Sequence, residues 1–166
     1  MMAANLTAIQ SPSSDRRSAM EIERKYLVDK LPAHMEQYPC RIISQGYLNT
    51  DPVVRIRRDN DKYELTYKSK GFMERQEYNL PLTREAYEHL LTKIDGRLIE
   101  KKRYMIPLKP GTTAELDVFE GYLAPLILVE VEFSSKEEAD SFVPPSWFGE
   151  DVTFSGKYHN SSLSQL

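Results

Sequence analysis

The chain has 166 residues, enough for one domain with its own core, and its 40% hydrophobic and 28% charged content is that of an ordinary globular protein. A net charge of −3 argues against a general nucleic-acid binder or a membrane-surface protein. No apolar run approaches the roughly 18–20 residues needed to span a bilayer, and the first 19 residues lack the apolar core of a signal peptide.

Residues 1–19 are rich in Ser and Ala, with one Pro and the pair Arg16-Arg17. They read as a flexible leader, with the domain proper over 20–166 and Met20 as its start. The run Glu21-Ile22-Glu23-Arg24-Lys25-Tyr26-Leu27-Val28 follows as a strand. Alternation puts Glu21, Glu23 and Lys25 on one face. Two carboxylates one strand-step apart suit a hard divalent cation, and the adjacent lysine suits an anion. A solvated strand face is the plainer alternative. The single Cys40 excludes an internal disulfide and fits a reducing cytoplasm. Lying between Tyr38-Pro39 and an apolar strand, it reads as a buried structural thiol.

Strand patterns continue over Ile42 to Leu48, Val53 to Arg58, Tyr63 to Lys68 and Glu74 to Leu80, with Asp59-Asn60-Asp61 as a hairpin turn. Thr83 is placed to cap a helix from Arg84 to Ile94, with Ala86, Leu90, Leu91 and Ile94 as its apolar stripe and Gly96 as its stop. Leu98 to Ile106, Thr113 to Phe119 and Leu126 to Phe133 are further strands. Ser135 with Glu138 resembles a capping box opening a short helix that runs through Phe142 and ends at Pro144-Pro145. About eight strands against two helices predict a mainly β (α+β) fold, an eight-stranded antiparallel closed barrel with a few flanking helices.

The charges on these strands come in like-sign pairs: Glu21/Glu23, Arg55/Arg57, Lys101/Arg103, Glu115/Asp117 and Glu130/Glu132. A solvated face intersperses its signs and includes Thr, Ser and Gln. Like charges on one face repel unless a ligand compensates them: a polyanion for the basic strands, divalent cations for the acidic ones. An inverted barrel, charged inside and covered outside by helices, would use them in that way. Periodicity alone leaves open which face is inside.

Glu21-Ile22-Glu23-Arg24-Lys25 resembles the ExExK signature of the CYTH superfamily, the triphosphate tunnel metalloenzymes. Val54-Arg55-Ile56-Arg57 resembles the arginine-pair strand of that family, Leu65-Thr66-Tyr67-Lys68 its lysine strand, and Arg75-Gln76-Glu77 its Arg-x-Glu strand. Lys101-Lys102-Arg103-Tyr104, Glu115-Leu116-Asp117-Val118-Phe119, Val129-Glu130-Val131-Glu132-Phe133 and Lys157-Tyr158-His159-Asn160-Ser161 resemble later segments, in family order. One ExExK is a weak signal; further segments in sequence, from Met20 to about Leu163, make a specific one.

The resemblance implies a charged-interior barrel tunnel that binds a small-molecule triphosphate. It implies substrate contacts from Lys25, Arg55, Arg57, Lys68, Arg75, Lys101, Arg103 and Lys157. Metal ligation falls to Glu21, Glu23, Asp117, Glu130 and Glu132, with Mg²⁺ or Mn²⁺, two per site, as the expected ions. Catalytic roles fall to Lys25, Arg57, Glu130 and Glu132. Glu77 and Glu115 either bind metal or hold neighbouring arginines, and His159 lies in the matched tail. The expected activity is metal-dependent hydrolysis of inorganic tripolyphosphate by a cytoplasmic enzyme, with a homodimer as its candidate assembly and neither nucleic acid nor membrane as partner. The alternatives are thiamine triphosphatase, nucleoside triphosphatase, class IV adenylate cyclase, or a non-catalytic polyphosphate- or nucleotide-binding module. Intact acidic pairs argue against the last, since anion binding alone needs no carboxylates beside the phosphates.

Overall fold

Eight strands of alternating polarity each have one face to bury and one to fill with charge, and closure into a barrel satisfies both without leaving an edge. The computed structural model describes residues 19–108 and 111–166. The expected leader therefore lies outside the described residues except for Ala19, which already opens the first strand. The strands are β1 (Ala19–Leu27), β2 (Cys40–Thr50), β3 (Val53–Asp59), β4 (Lys62–Lys68) and β5 (Glu74–Pro81), then β6 (Asp95–Pro107), β7 (Thr113–Phe119) and β8 (Ile127–Glu132). The helices are α1 (Arg84–Leu91), α2 (Lys136–Ser141) and α3 (Asn160–Leu163). The strands close in the order β1-β5-β4-β3-β2-β6-β7-β8, and every pairing is antiparallel.

Strands β2 to β5 and β6 to β8 pair in sequence order through short connections, while β1 and β2, and β5 and β6, are not neighbours. The β3–β4 turn uses Asn60 at φ 52, a left-handed conformation that Asn tolerates, and its Oδ1 accepts from the Ile42 amide at 2.9 Å. β1 is the seam. Its residues Ala19 to Ile22 pair with β5, and Glu23 to Leu27 pair with β8.

Cross-strand partners share a face, so the register shows what lies inside: Lys25 with Glu130, Glu23 with Glu132, Arg103 with Asp117, Arg55 with Thr66. The barrel is inverted, as the resemblance implied. Most of its apolar residues point outward; Tyr26 of β1 and those on β7 and β8 are covered, whereas Ile42, Tyr67, Tyr78 and Leu80 stay exposed. Tyr26, Leu116, Val129 and Val131 pack beneath Ala139 of α2 and the rings of Phe142, Trp147 and Phe148. Each such fully buried aliphatic side chain contributes about 1.5–3 kcal/mol. On the other side Tyr87 of α1 stacks on Tyr63 of β4 at 5.2 Å between centroids. One end of the interior departs from the charged pattern. There inward-facing Tyr47, Val53, Ile99, Phe119 and Leu128 meet Val152 and Leu163, so that the C-terminal segment covers that end.

Three local expectations are corrected. Helix α1 has its Thr83 cap, whose Oγ1 accepts from Ala86 N at 3.1 Å, but it ends at Leu91 rather than Ile94 and buries Tyr87 more fully than the expected stripe. Gly96 belongs to β6, at φ +71, where a Cβ would sit 2.3 Å from the Ser164 carbonyl; it permits close approach of the C-terminal segment instead of stopping a helix. Cys40 is exposed, because as the residue before inward-facing Arg41 it points outward at the start of β2. The second helix is capped as expected by Ser135 Oγ on Glu138 N at 3.2 Å, while Glu138 reaches back to the amide of Ser134.

Candidate active site

Strand β1 carries Glu21, Glu23 and Lys25 inward at alternate positions, and pairing places Glu132 and Glu130 of β8 opposite the last two. Glu23 and Glu132 thus face one another as like charges. One oxygen each from Glu21, Glu23 and Glu132 lies within 4.8 Å of the others, a spacing that one hard cation spans. The electrostatics fit this. Burial pushes the Glu23 carboxyl well above the usual range, and Glu130 and Glu21 push it further. Glu132 is raised to about 7 by burial and by Glu115, Glu21, Glu77 and Glu130. Burial acts to raise Glu21, but Lys68 together with hydrogen bonding to Glu77 and Glu23 outweighs it and holds Glu21 well below the ordinary carboxylate range. Lys68 Nζ stands 2.8 Å from the Glu21 oxygens; hydrogen-bond geometry is met only at Oε1, which leaves Oε2 buried without a hydrogen bond. An orphaned carboxylate oxygen and two proton-holding acids are what a divalent cation would relieve.

Facing these acids is a cationic wall. Arg57 donates from Nε and Nη2 to Gln45 Oε1 at 3.0 and 2.7 Å, and Gln45 in turn donates to Tyr47 OH at 2.9 Å. Burial, then Arg55 and Arg103, bring Arg57 down to about 9, the mark of a guanidinium among cations without an anion. Arg55 donates to Thr66 Oγ1 at 3.1 Å and keeps a buried Nε without a partner. Among the described residues, Arg55, Arg57 and Arg75 form no ion pair with a carboxylate. These residues line a cavity of about 200 Å³ together with Glu21, Glu23, Lys25, Lys68, Arg103, Glu130 and Glu132.

Other charges are already matched. Lys25 lies 3.7 Å from Glu130 and donates to the Tyr158 carbonyl at 3.3 Å. Glu130 also faces Arg103 at 3.6 Å; burial would raise its carboxyl, but Lys25 and Arg103 hold it well below the usual range. Asp117 is completely buried and accepts from Lys101 Nζ at 2.6 Å and from Arg103 Nε and Nη2 at 2.6 and 2.8 Å. Burial pulls Lys101 down to about 7 against Asp117; the 2.6 Å contact with a carboxylate that Arg103 helps keep ionised retains the proton on Lys101. Glu115 binds Arg103 at 2.9 Å and Glu77 faces Lys68 at 3.4 Å, so both hold neighbouring cations. His159 lines the cavity with its ring 5.6 Å from that of Phe72, and burial with Lys25 and Arg75 lowers it to about 4, so it is neutral near pH 7.

The CYTH domain family matches residues 19–166, nearly the whole described chain. The chain belongs to the CYTH family. Within it, the inorganic triphosphatase of Nitrosomonas europaea is 45% identical over 148 residues, which cover 87% of this chain and 96% of the relative. The inorganic triphosphatase of Acetivibrio thermocellus is 36% identical over 148 residues, covering 86% and 92%. A crystal structure of an inorganic triphosphatase superposes with a TM-score of 0.68 at 41% identity, covering 89% of this chain and 96% of its own.

This CYTH barrel gathers ten of the residues singled out from the sequence on one cavity: Glu21, Glu23, Lys25, Arg55, Arg57, Lys68, Arg75, Arg103, Glu130 and Glu132. Three expected residues stand elsewhere. Lys157 is exposed in a 3₁₀ turn, with its Nζ over the Tyr158 ring at 5.3 Å, and is not among the residues that line the cavity. Lys101 and Asp117 lie behind the cavity wall, each with its side chain fully buried, and Asp117 has both oxygens committed to cations. In this structure its oxygens serve as counter-ions to Lys101 and Arg103. Gln45, Tyr47 and Asn160 also line or support the CYTH cavity and went unnoticed in the sequence. Gln45 carried a signal: a polar residue between Ile43 and Tyr47 on one strand face.

Proposed function

We propose that this chain is a divalent-metal-dependent inorganic triphosphatase that hydrolyses tripolyphosphate to pyrophosphate and phosphate inside the barrel. The observation that carries the reading is the cavity itself: Arg55, Arg57 and Arg75, free of carboxylate partners among the described residues, line a space of about 200 Å³ with the Glu21–Glu23–Glu132 group, Arg55 and Arg57 from β3 and Arg75 from β5 beside Glu21. The similarity to two inorganic triphosphatases agrees with it. Guanidinium forks match phosphate oxygens two at a time, so the arginines bind and align the polyanion. Lys25 and Lys68, tethered to Glu130 and Glu21, each supply a positive charge beside the acids and neutralise the phosphate chain where it approaches them. Phosphoryl transfer needs positioning and charge stabilisation more than a nucleophilic side chain, and none is required of Ser or Cys here.

Glu21, Glu23 and Glu132 would hold the divalent cation, Mg²⁺ or Mn²⁺. When bound, it supplies charge neutralisation on the phosphates and a water of lowered pKa. Two ions are expected, and among the described residues one such group of acids is assembled. The arginine wall compresses developing negative charge between fixed donors, and burial strengthens each of those contacts. No helix of the described residues is long and apolar enough to cross a membrane. We read the compartment as the cytoplasm, on the single, exposed Cys40.

The test is to incubate the chain with tripolyphosphate, ATP or thiamine triphosphate and Mg²⁺ or Mn²⁺, and to measure phosphate, pyrophosphate and cyclic AMP. Phosphate released fastest from tripolyphosphate is expected. No phosphate from any substrate would overturn the reading, and cyclic AMP with pyrophosphate from ATP would replace it by a cyclase.

A further inference from the structure

Asn160 opens α3 in the C-terminal segment and lines the charged cavity. Its Oδ1 accepts from Lys101 Nζ at 3.1 Å. Lys101 has no exposed side-chain surface, and its other polar partner is Asp117 at 2.6 Å, so it does not reach a ligand in the cavity. An ammonium only donates, so it fixes the amide of Asn160 with oxygen toward Lys101 and the NH₂ group on the opposite branch. That NH₂ donates to no acceptor among the described residues, and it is not among the buried atoms left without a partner. A carboxamide whose oxygen is held toward an ammonium presents its NH₂ as the branch left without a partner. That branch suits an oxyanion and cannot itself ligate a metal.

We propose that Asn160 contacts the substrate, its NH₂ donating to a phosphate oxygen in the cavity, and that Lys101 is the positioning residue that holds the amide in this orientation. The inference rests on the triphosphatase reading. It gives the C-terminal segment a part in binding: besides covering the apolar end of the barrel, it brings a neutral donor to the cavity beside its cations. It also gives buried Lys101 a role consistent with its lack of access to the cavity.

The decisive variant is Asn160→Asp. It keeps an acceptor for Lys101, now as an ion pair, and exchanges the free donor for a carboxylate oxygen. A purely structural link predicts an equal or higher Tm, and a KM unchanged in the neutral Asn160→Ala even where the new carboxylate of Asn160→Asp repels the polyanion. The proposal predicts an equal or higher Tm together with a KM for tripolyphosphate raised at least about tenfold, the scale of one charge-assisted hydrogen bond, with kcat less affected. Asn160→Ala, measured in parallel on the full chain with Mn²⁺, is expected to raise KM by a similar factor and to lower Tm. A KM within twofold of the parent for both variants overturns the proposal while parental turnover upholds the activity. A parent that neither hydrolyses tripolyphosphate nor binds it by calorimetry overturns both.

Discussion

Replacing Asp117 separates a counter-ion from a metal ligand. In Asp117→Asn the volume is kept, but one charge-assisted acceptor becomes a donor facing Lys101 and Arg103. Three contacts of 2.6, 2.6 and 2.8 Å are weakened or lost, all at a site with no solvent. Arg103 retains Glu115 at 2.9 Å and Glu130 at 3.6 Å, whereas Lys101 keeps only the Asn160 oxygen. Removing one partner of a buried ion cluster costs about 3–5 kcal/mol. For a domain of this size that is a fall in Tm of about 6–20 °C. The assay is thermal unfolding in chelator, paired with calorimetric titration of Mn²⁺ into the folded variant at lower temperature. The reasoning expects a large loss of Tm with Mn²⁺ affinity changed less than about threefold. A variant as stable as the parent that has lost Mn²⁺ binding would refute it and return Asp117 to the metal.

Arg57→Ala should lower kcat/KM for tripolyphosphate by about 2–4 kcal/mol, the scale of a lost anion-stabilising donor, because among the described residues its side chain hydrogen-bonds to Gln45 alone and pairs with no carboxylate; steady-state turnover checks this, and a change under threefold would count against it. Glu132, raised to about 7, and Glu23, held by burial well above the usual carboxylate range, must release protons when a cation binds. Apparent Mn²⁺ affinity therefore rises with pH through about 7, by up to about tenfold per pH unit for each proton displaced. Calorimetry in two buffers of different ionisation enthalpy measures that release, and a proton count of zero would refute it. Glu132→Gln should weaken Mn²⁺ binding without lowering Tm in chelator, because it removes one of three mutually repelling acids. Lys157→Ala should leave KM for tripolyphosphate within twofold, since its side chain is exposed and away from the cavity.

Much of this site was legible because β-strands have a period of two and the charges keep it. Arg55 with Arg57, and Glu21 with Glu23, could share a face only if that face met ions of the opposite sign. The strand count and hairpin turns then placed them in a barrel. What was hidden depended on register between strands. Glu115 and Asp117 look alike as two acids on β7, yet pairing sets Asp117 opposite Arg103 and beside Lys101, deep in the wall. Gln45 was silent because it is uncharged, and its value comes from Arg57 facing it across β2 and β3. Lys157 sits in a 3₁₀ turn, where no periodicity tells which way a side chain points. Gly96 and the early end of α1 reflect tertiary override: the Ser164 carbonyl, nearly seventy positions away, claims the space a side chain would need.

The seam in the barrel gives the proposed metal site a mechanical meaning. β1 is shared between β5 and β8, so the ring is closed by the first strand alone. Glu21 stands on the part of β1 that pairs with β5, Glu23 on the part that pairs with β8, and Glu132 on β8 itself. A cation held by these three acids fastens the first strand to the last. In its absence the same carboxylates push against the closure they straddle. Loss of the ion should therefore loosen the cylinder along one line, read as faster amide exchange in β1 and β8 while the β2–β3 hairpin stays protected.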